Sequence, residues 1–401
     1  MGAARQIKKS DGPDAERDIM ITSTDLIALL SSHGVNFYTG VPDSLLKEFC
    51  QTITVAGENI THVMACNEGA AMGIAIGHHL ATGHIPAVYL QNSGLGNLIN
   101  PCCSLADTHV YAIPSLLIIG WRGELADDGR QLHDEPQHVK QGKVTLSLLE
   151  TLDIPYVVID AKQDNWAARV AALLRQAQQE QRPVALVCRK NTFAPMPGGS
   201  HPDNPVAEKA VMTREEIVAC CLEMLPPSVP VVSTTGMLSR ELFELRAQQQ
   251  HGHEKDFLTV GGMGHASQIA LGIALASPHK RIVCIDGDGA VLMHLGGLTN
   301  TARANNILHI VVNNGAHASV GGQVTIAADL CLSDIARAAG YHHAETVTTP
   351  AELALSLTNA LSQPYSTFIE VCCRTGHRAD LGRPTRTPIE NKTDFMQFVQ
   401  A

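Results

Sequence analysis

The sequence predicts an α/β fold with two doubly wound domains, each a mostly parallel sheet between helices. Short apolar runs typical of buried parallel strands alternate with helical segments from about residue 20 to residue 375. Near the middle, the aperiodic segment FAPMPGGSHPDNP (193–205) interrupts this alternation, and its Pro and Gly content is typical of a linker. A chain of 401 residues, 45% of them hydrophobic, is long enough for two or three globular cores.

The first half alternates in this way from its first helix onward. Thr22 or Ser23 can cap a helix over residues 24–33, and Gly34 can end it. Apolar runs predict strands at 37–40, 62–66, 87–91, 115–121, 156–160 and 184–188. Between them, helices are predicted at 44–53, 68–81, 144–151 and 165–181.

The second half repeats the pattern. Helices are predicted at 213–224, 239–247, 265–276, 333–340 and 350–362, and strands at 229–234, 257–260, 281–286, 308–312 and 367–373. We therefore divide the chain into a polar, disordered tail (1–19), an N-terminal domain (20–192), a linker (193–208), a C-terminal domain (209–375) and a polar C-terminal extension (376–401).

The net charge and the cysteine spacing argue against several classes of protein. The formal net charge of -10 argues against nucleic-acid binding, and an anionic substrate would need a local positive site. The 11 cysteines include adjacent pairs but no CxxC spacing, which indicates a reduced, cytoplasmic protein rather than a disulfide framework or a zinc site. No apolar run approaches transmembrane length.

Polar side chains follow two neighbouring strands of the second half. The run RIVCID (281–286) is followed by Gly287-Asp288-Gly289, and the run LHIVV (308–312) by Asn313 and Asn314. The carboxyl ends of parallel strands share one edge of a sheet, where ligands bind. Carboxylate, amide and main-chain carbonyl oxygens are ligands that Mg²⁺ prefers. A lone GDG is usually an ordinary turn, but the strand–GDG–helix–strand–NN context favours a metal–phosphate site.

Two further stretches carry candidate functional residues. Glu68 begins a helix directly after a strand. Its carboxylate is either an ordinary N-terminal residue favoured by the helix dipole or a catalytic group. In VGGMGHASQIALGIAL (260–275), Met263 is either a core filler or a ligand contact. This stretch fails as a dinucleotide fingerprint, because Ser267 stands where the last Gly belongs.

Substrate recognition is expected at strand ends of the first half. Asp43 and Asn92 follow two strands, and a long polar loop, 118–143, begins with Trp121-Arg122 and contains Gln137 and His138. Most residues of such a loop are solvated, but loops at this edge often carry function.

The GDG…NN pattern resembles the metal–diphosphate motif of thiamine-diphosphate (ThDP) enzymes, and this resemblance implies a thiamine-diphosphate-binding fold. It implies that Mg²⁺ is bound by Asp288, Asn314 and the carbonyl of Ala316. It also implies diphosphate contacts from Thr235, Gly236 and the N–H groups of Gly289 and Ala290. Near the thiazolium, Met263 would bend the cofactor, and the Gly261 carbonyl would accept from its 4′-amino group.

By the same resemblance, Glu68 hydrogen-bonds N1′ of the pyrimidine and is catalytic. In this family two chains grip one cofactor. Glu68 of one chain and Asp288 of another are therefore expected to bind the same cofactor molecule, in a homodimer or higher homo-oligomer with active sites at the subunit interface.

Together the segments GVPDSLL, QNSGLGN, GWRGE, DEPQHVKQG, TTGM and GMGHAS and the 314–323 stretch resemble the phosphonopyruvate decarboxylase family over about residues 20–375. The resemblance implies decarboxylation of 3-phosphonopyruvate to phosphonoacetaldehyde and CO2, through a ylid and an enamine, in phosphonate biosynthesis. It implies that Asp43 is catalytic and orients the adduct, and that the substrate meets Arg122, Asn92, Gln137, His138 and His317. ELADDGRQLH (124–133) is longer than the family's equivalent, and Gly315 replaces a usual acidic residue.

Three alternatives stay open at this point. A sulfopyruvate decarboxylase uses the same cofactor on a sulfonate, and a ThDP synthase would join two oxoacids. A non-catalytic ThDP-binding regulator is the third, and the presence of Glu68 argues against it.

Overall fold

The structure, a computed structural model, describes residues 20–57, 59–161, 165–196, 204–318 and 320–401. It contains two six-stranded sheets in which every strand pair is parallel, and helices cover both sheets. The predicted fold class is therefore confirmed. The predicted tail (1–19) and the middle of the predicted linker lie outside the described residues.

The N-terminal sheet has the strand order β2-β1-β3-β4-β6-β5. Its strands are β1 (Phe37–Gly40), β2 (Thr61–Met64), β3 (Ala87–Gln91), β4 (Ser115–Gly120), β5 (Tyr156–Ile159) and β6 (Pro183–Cys188). The helices of this half are α1 (Ser23–Ser32), α2 (Lys47–Val55), α3 (Glu68–Thr82), α4 (Leu95–Pro101), α5 (Pro136–Thr151) and α6 (Trp166–Glu180).

Helices pack on both faces of this sheet. One core cluster joins the sheet to α1, α2 and α6 through side chains such as Leu26, Phe49 and Leu173. A second cluster joins the other face to α3, α4 and α5. β4 is buried along its whole length, because the central strand of a doubly wound sheet is covered on both sides.

The C-terminal sheet has the order β11-β12-β10-β9-β7-β8. Its strands are β7 (Val231–Ser233), β8 (Asp256–Leu258), β9 (Ile282–Gly287), β10 (Ile307–Asn313), β11 (His343–Val347) and β12 (Thr367–Cys372). The helices are α7 (Pro205–Lys209), α8 (Arg214–Met224), α9 (Met237–Gln248), α10 (Ala266–Ala276), α11 (Asp288–Met293), α12 (Leu298–Thr301), α13 (Leu332–Ala338), α14 (Pro350–Ser362) and α15 (Pro388–Gln400).

Each sheet has one point where the strand order reverses. In the first sheet it lies between β1 and β3, and in the second between β7 and β9. Loops leave these strand pairs in opposite directions, so a crevice opens at their carboxyl ends, where open α/β sheets bind ligands.

Several elements differ from the sequence-based expectation, among them the unpredicted α4 and β11. The expected polar loop 118–143 ends early, because α5 already begins at Pro136. The short helix α7 lies inside the expected linker. The C-terminal extension forms α15, and Asn391 ties it to β8: its Nδ2 donates to the carbonyl of Asp256 and its Oδ1 accepts from the N–H of Leu258.

All 11 cysteines fall within the described residues, and each is a free thiol there. Among the helices that the structure describes, none combines the length and the apolar character needed to cross a bilayer.

Candidate active site

One cavity of about 460 Å³ lies at the carboxyl ends of both sheets. Its walls come from the loops after β1 and β3 on one side and from those after β7 and β9 on the other, the two points where strand order reverses. Glu68 and Arg122 reach it from the N-terminal half, and Met263, Asp288 and Asn314 from the C-terminal half. Residues predicted from separate motifs are thus brought together.

Asp288 begins α11 directly after β9 and is only 5% exposed. Burial raises the pKa of this carboxyl to about 6, despite a hydrogen bond of 2.7 Å that its Oδ2 accepts from the hydroxyl of Thr325. A buried carboxylate of this kind is stabilised in its charged form by a bound cation.

The neighbouring oxygens suit such a cation. Asn314 follows β10, and its Oδ1 accepts a hydrogen bond of 3.0 Å from the N–H of Ala316, which fixes the turn. The carbonyl of Ala316 accepts from Ala318 N–H at 2.9 Å. Asp288, Asn314 and Ala316 all line the cavity, so a carboxylate, an amide oxygen and a main-chain carbonyl are available, as Mg²⁺ requires.

Glycines allow other groups to pack closely beside these oxygens. A Cβ on Gly289 would lie 3.1 Å from the ring of His317 and 3.3 Å from Cε of Met263. Gly236 has φ +97, which favours glycine, and starts α9 from the cavity wall. Thr235, Gly261, Met263 and Ala290 also line the cavity. Their expected contacts with the cofactor remain predictions.

Glu68 begins α3, whose N-cap Asn67 accepts a hydrogen bond of 2.8 Å from the N–H of Ala70. The Glu68 side chain is 5% exposed, and its Oε2 accepts a hydrogen bond of 2.7 Å from Nδ2 of Asn97. Asn97 lies on α4 and lines the cavity. Sequence reasoning missed Asn97, although it lies in the quoted stretch QNSGLGN.

Glu68 and Asp288 line the same cavity of the described chain. The expectation that they come from different chains of a homo-oligomer stays a prediction. The halves are in direct contact there: Asn67 Nδ2 donates to the carbonyl of Met293 at 3.2 Å. The sequence motifs indicate that the N-terminal and C-terminal halves form the cavity together. They do not indicate whether the two halves come from the same chain. An exchange of halves between two chains would build the same cavity from the same side chains.

Arg122 is held rigidly at the cavity wall. Its Nε and Nη2 donate to Asp134 at 2.9 and 2.6 Å, and its Nη1 donates to Ser44 Oγ at 2.9 Å. Burial opposes ionisation of Asp134, but hydrogen bonds from Arg122 and His138 outweigh it and hold the pKa of this carboxyl well below its ordinary value. Sequence reasoning saw Asp134 only as part of a polar loop.

His138 and His317 also line the cavity, both as largely neutral groups. His138 Nδ1 lies 3.0 Å from Oδ1 of Asp134. Burial lowers the pKa of His138, although Asp134 raises it in part. Burial lowers the pKa of His317 to about 4, so this residue carries no positive charge near pH 7. Gln137 also reaches the cavity, and its Oε1 has no partner within the described part of the chain.

Asn92, expected to bind substrate, is not among the residues that line the cavity. Its Nδ2 donates to the Arg122 carbonyl and to Thr145 Oγ1, both at 2.9 Å, and its Oδ1 accepts from Arg122 N–H at 3.1 Å. The structure therefore corrects this expectation: Asn92 fixes the main chain that carries Arg122. The sequence cannot reveal this, because the partners are far apart along the chain.

Asp43, expected to orient the adduct, lies behind the wall that Pro42 and Ser44 form. Its Oδ2 accepts from Leu45 N–H at 2.9 Å, which caps a short 3₁₀ turn. Its Oδ1 has no partner among the described residues. Burial raises the pKa of Asp43 to about 6.

Comparison with known proteins agrees with this geometry. The family model for the N-terminal TPP binding domain of thiamine pyrophosphate enzymes matches residues 20–144, and the model for their C-terminal TPP binding domain matches residues 234–371. The name thiamine pyrophosphate (TPP) denotes the same compound as ThDP.

Three relatives cover most of the chain. A phosphonopyruvate decarboxylase of Streptomyces viridochromogenes is 33% identical over 95% of this chain and 95% of the relative. A phosphonopyruvate decarboxylase of Streptomyces hygroscopicus is 32% identical over 94% of both chains. A sulfopyruvate decarboxylase of Methanosarcina acetivorans is 26% identical over 88% of this chain and 91% of the relative. The chain therefore belongs to the phosphonopyruvate decarboxylase family and is a thiamine-diphosphate-dependent carboxy-lyase.

Proposed function

We propose that this enzyme converts 3-phosphonopyruvate to phosphonoacetaldehyde and CO2, consuming one proton, as a step in phosphonate biosynthesis. The observation that carries the proposal is that a fixed cationic group, Arg122, lines the same cavity as Glu68 and Asp288. The relatives named for this reaction are also similar to the chain over almost its full length.

The residues present fit thiamine diphosphate with Mg²⁺. Asp288, Asn314 and the Ala316 carbonyl would hold the cation, and the pKa of about 6 that burial gives the Asp288 carboxyl supports this, since a cation compensates the buried charge. Gly289 lines the cavity next to Asp288, where its N–H would meet the diphosphate. Glu68 stands at the other end of the cavity, where it would exchange a proton with the pyrimidine nitrogen N1′.

Bound thiamine diphosphate supplies the electron sink for the electron pair left when CO2 departs. The side chains of this chain place the substrate against it. An arginine has five N–H donors, and the contacts with Asp134 and Ser44 use three of them. The other donors suit the oxygens of an anionic tail, and the ion pair with Asp134 keeps the guanidinium from turning away.

His138 provides a reason to favour a phosphonate over a sulfonate. The Asp134 carboxylate can only accept, so Nδ1 of His138 must donate to it, and in the neutral ring Nε2 is then an acceptor. A phosphonate that keeps one proton can donate its P–OH to Nε2. A sulfonate is fully ionised near neutral pH and has no proton to donate.

The discriminating experiment compares kcat/KM for 3-phosphonopyruvate and 3-sulfopyruvate. We expect the ratio to favour the phosphonate in the wild-type enzyme. His138→Asn retains an N–H for Asp134 but loses Nε2, and it should lower the ratio by about tenfold or more, since sites built around a substrate hydroxyl discriminate strongly. Faster turnover of sulfopyruvate by the wild-type enzyme would make it a sulfopyruvate decarboxylase instead.

Two other candidates give different products. A ThDP synthase would form a carbon-coupled acid with little free aldehyde, and a ThDP-binding regulator would bind the cofactor without releasing CO2. Measuring phosphonoacetaldehyde and CO2 in the same reaction distinguishes both from the proposed decarboxylase, which should release them in equal amounts.

A further inference from the structure

The carboxylate of Glu68 is held from two sides by residues of its own half of the chain. Oε2 accepts a hydrogen bond of 2.7 Å from Nδ2 of Asn97. On the other side, a Cβ placed on Gly94 would lie 2.2 Å from Oε1 and 2.4 Å from Cδ. Any residue larger than glycine at position 94 would displace the carboxylate, so Gly94 and Asn97 together define its position.

The hydrogen bond from Asn97 has a chemical consequence. The Nδ2 group of an asparagine donates and cannot accept. A donor directed at Oε2 stabilises the ionised carboxylate and leaves Oε1 as the oxygen that binds or releases a proton. Oε1 borders Gly94, which itself lines the cavity.

We propose that Asn97 is a positioning residue that fixes the Glu68 carboxylate so that Oε1 alone meets N1′ of the thiamine-diphosphate pyrimidine. The inference rests on the proposed function only in the role given there to Glu68. Asn97 acts through Glu68 and takes no part in binding the oxoacid.

Replacing Asn97 should leave the fold intact. Asn97 lies on the outer side of α4, facing the cavity, whereas Leu95 and Leu98 of the same helix are buried in the core. Its loss therefore creates no buried void. Asn100→Ala is the matched control, because Asn100 lies on the same helix and, within the described part of the chain, its side chain only accepts a hydrogen bond from Ser104 Oγ.

The test measures cofactor binding by calorimetry with Mg²⁺ present and no oxoacid. Asn97→Ala should weaken binding of thiamine diphosphate about tenfold, the usual effect of losing a hydrogen bond to a charged group. A cofactor analogue with carbon in place of N1′ cannot use Glu68, so its affinity should be the same in Asn97→Ala and wild type. Asn97→Asp, which keeps the size but loses the donor, should behave like Asn97→Ala or worse. Asn100→Ala should match wild type throughout.

A second readout follows exchange of the C2 hydrogen of bound thiamine diphosphate with deuterium as a function of pH. Loss of the donor makes the carboxylate harder to ionise, so the acid limb of the profile should move about one unit to higher pH in Asn97→Ala. Unchanged binding and exchange would overturn the proposal. Equal weakening of both cofactors would do so as well, because it would show a purely structural role. If wild type binds the cofactor yet decarboxylates no oxoacid, only the proposed function fails.

Discussion

The hydroxyl of Thr325 donates a hydrogen bond of 2.7 Å to the carboxylate of Asp288. Both side chains are buried at the carboxyl edge of the second sheet, where Asp288 begins α11 and Thr325 lies on the loop after β10. The bond fixes one carboxylate oxygen and so orients the other.

Thr325→Val, which removes this bond at nearly constant volume, should weaken Mg²⁺ about tenfold, because partners that orient a metal ligand typically contribute that much. The measurement is a Mg²⁺ titration of thiamine-diphosphate binding. Thr358→Val serves as the control, because Thr358 lies on an exposed helical face and its hydroxyl donates to the Ala354 carbonyl. An unchanged Mg²⁺ affinity in Thr325→Val would mean that Asp288 does not ligate the ion in this orientation.

Arg122 should be irreplaceable by lysine. Arg122→Lys keeps the charge but cannot donate to Asp134 from two nitrogens, so the positive group is no longer fixed at the wall. We expect kcat/KM for 3-phosphonopyruvate to fall about tenfold to hundredfold, with little change in thiamine-diphosphate affinity. Arg130→Lys, in the same segment but exposed, should keep wild-type kinetics. Wild-type kcat/KM in Arg122→Lys would remove Arg122 from the substrate site.

Asp43 should affect stability in a pH-dependent way. Its pKa is raised to about 6 in the folded protein, above the ordinary 3.8. The free energy of unfolding is therefore highest while the Asp43 carboxyl is protonated, and it falls as pH rises from about 4 through about 6. Asp43→Asn cannot ionise, so at pH 8 it should be more stable than wild type by on the order of 3 kcal/mol.

Urea unfolding at a series of pH values tests this expectation. The difference in the free energy of unfolding between Asp43→Asn and wild type should shrink toward pH 4. Asp127→Asn, whose carboxylate is fully exposed, should show no such trend. A stability difference that is constant across pH would mean that Asp43 is not a buried titrating group.

The motifs predicted the fold well and the site only in part. Apolar runs located β3 and β10, because strands buried on both faces need continuous hydrophobic sequence. The edge strand β11, with sequence HAETV, is only partly buried; it lacks that signal and was missed. Asn97 and Thr325 were missed for another reason: each acts on a carboxylate more than 25 residues away, and local patterns do not encode such contacts.

Two variants test how the halves are paired. Glu68→Gln should bind thiamine diphosphate but lose most turnover, and Asp288→Ala should lose Mg²⁺-dependent cofactor binding. If one chain supplies both ends of its own cavity, co-expressing the two variants with different tags should restore no activity. If chains exchanged halves, mixed dimers would regain intact sites, up to about a quarter of the wild-type number, and activity would return in proportion.

The most direct test of the account is release of CO2 from 3-phosphonopyruvate by the wild-type chain, with and without thiamine diphosphate and Mg²⁺. We expect CO2 and phosphonoacetaldehyde in equal amounts when both cofactors are present, and neither product when thiamine diphosphate is withheld. Absence of CO2 with both cofactors bound, or CO2 release that does not depend on the cofactors, would contradict the proposed function.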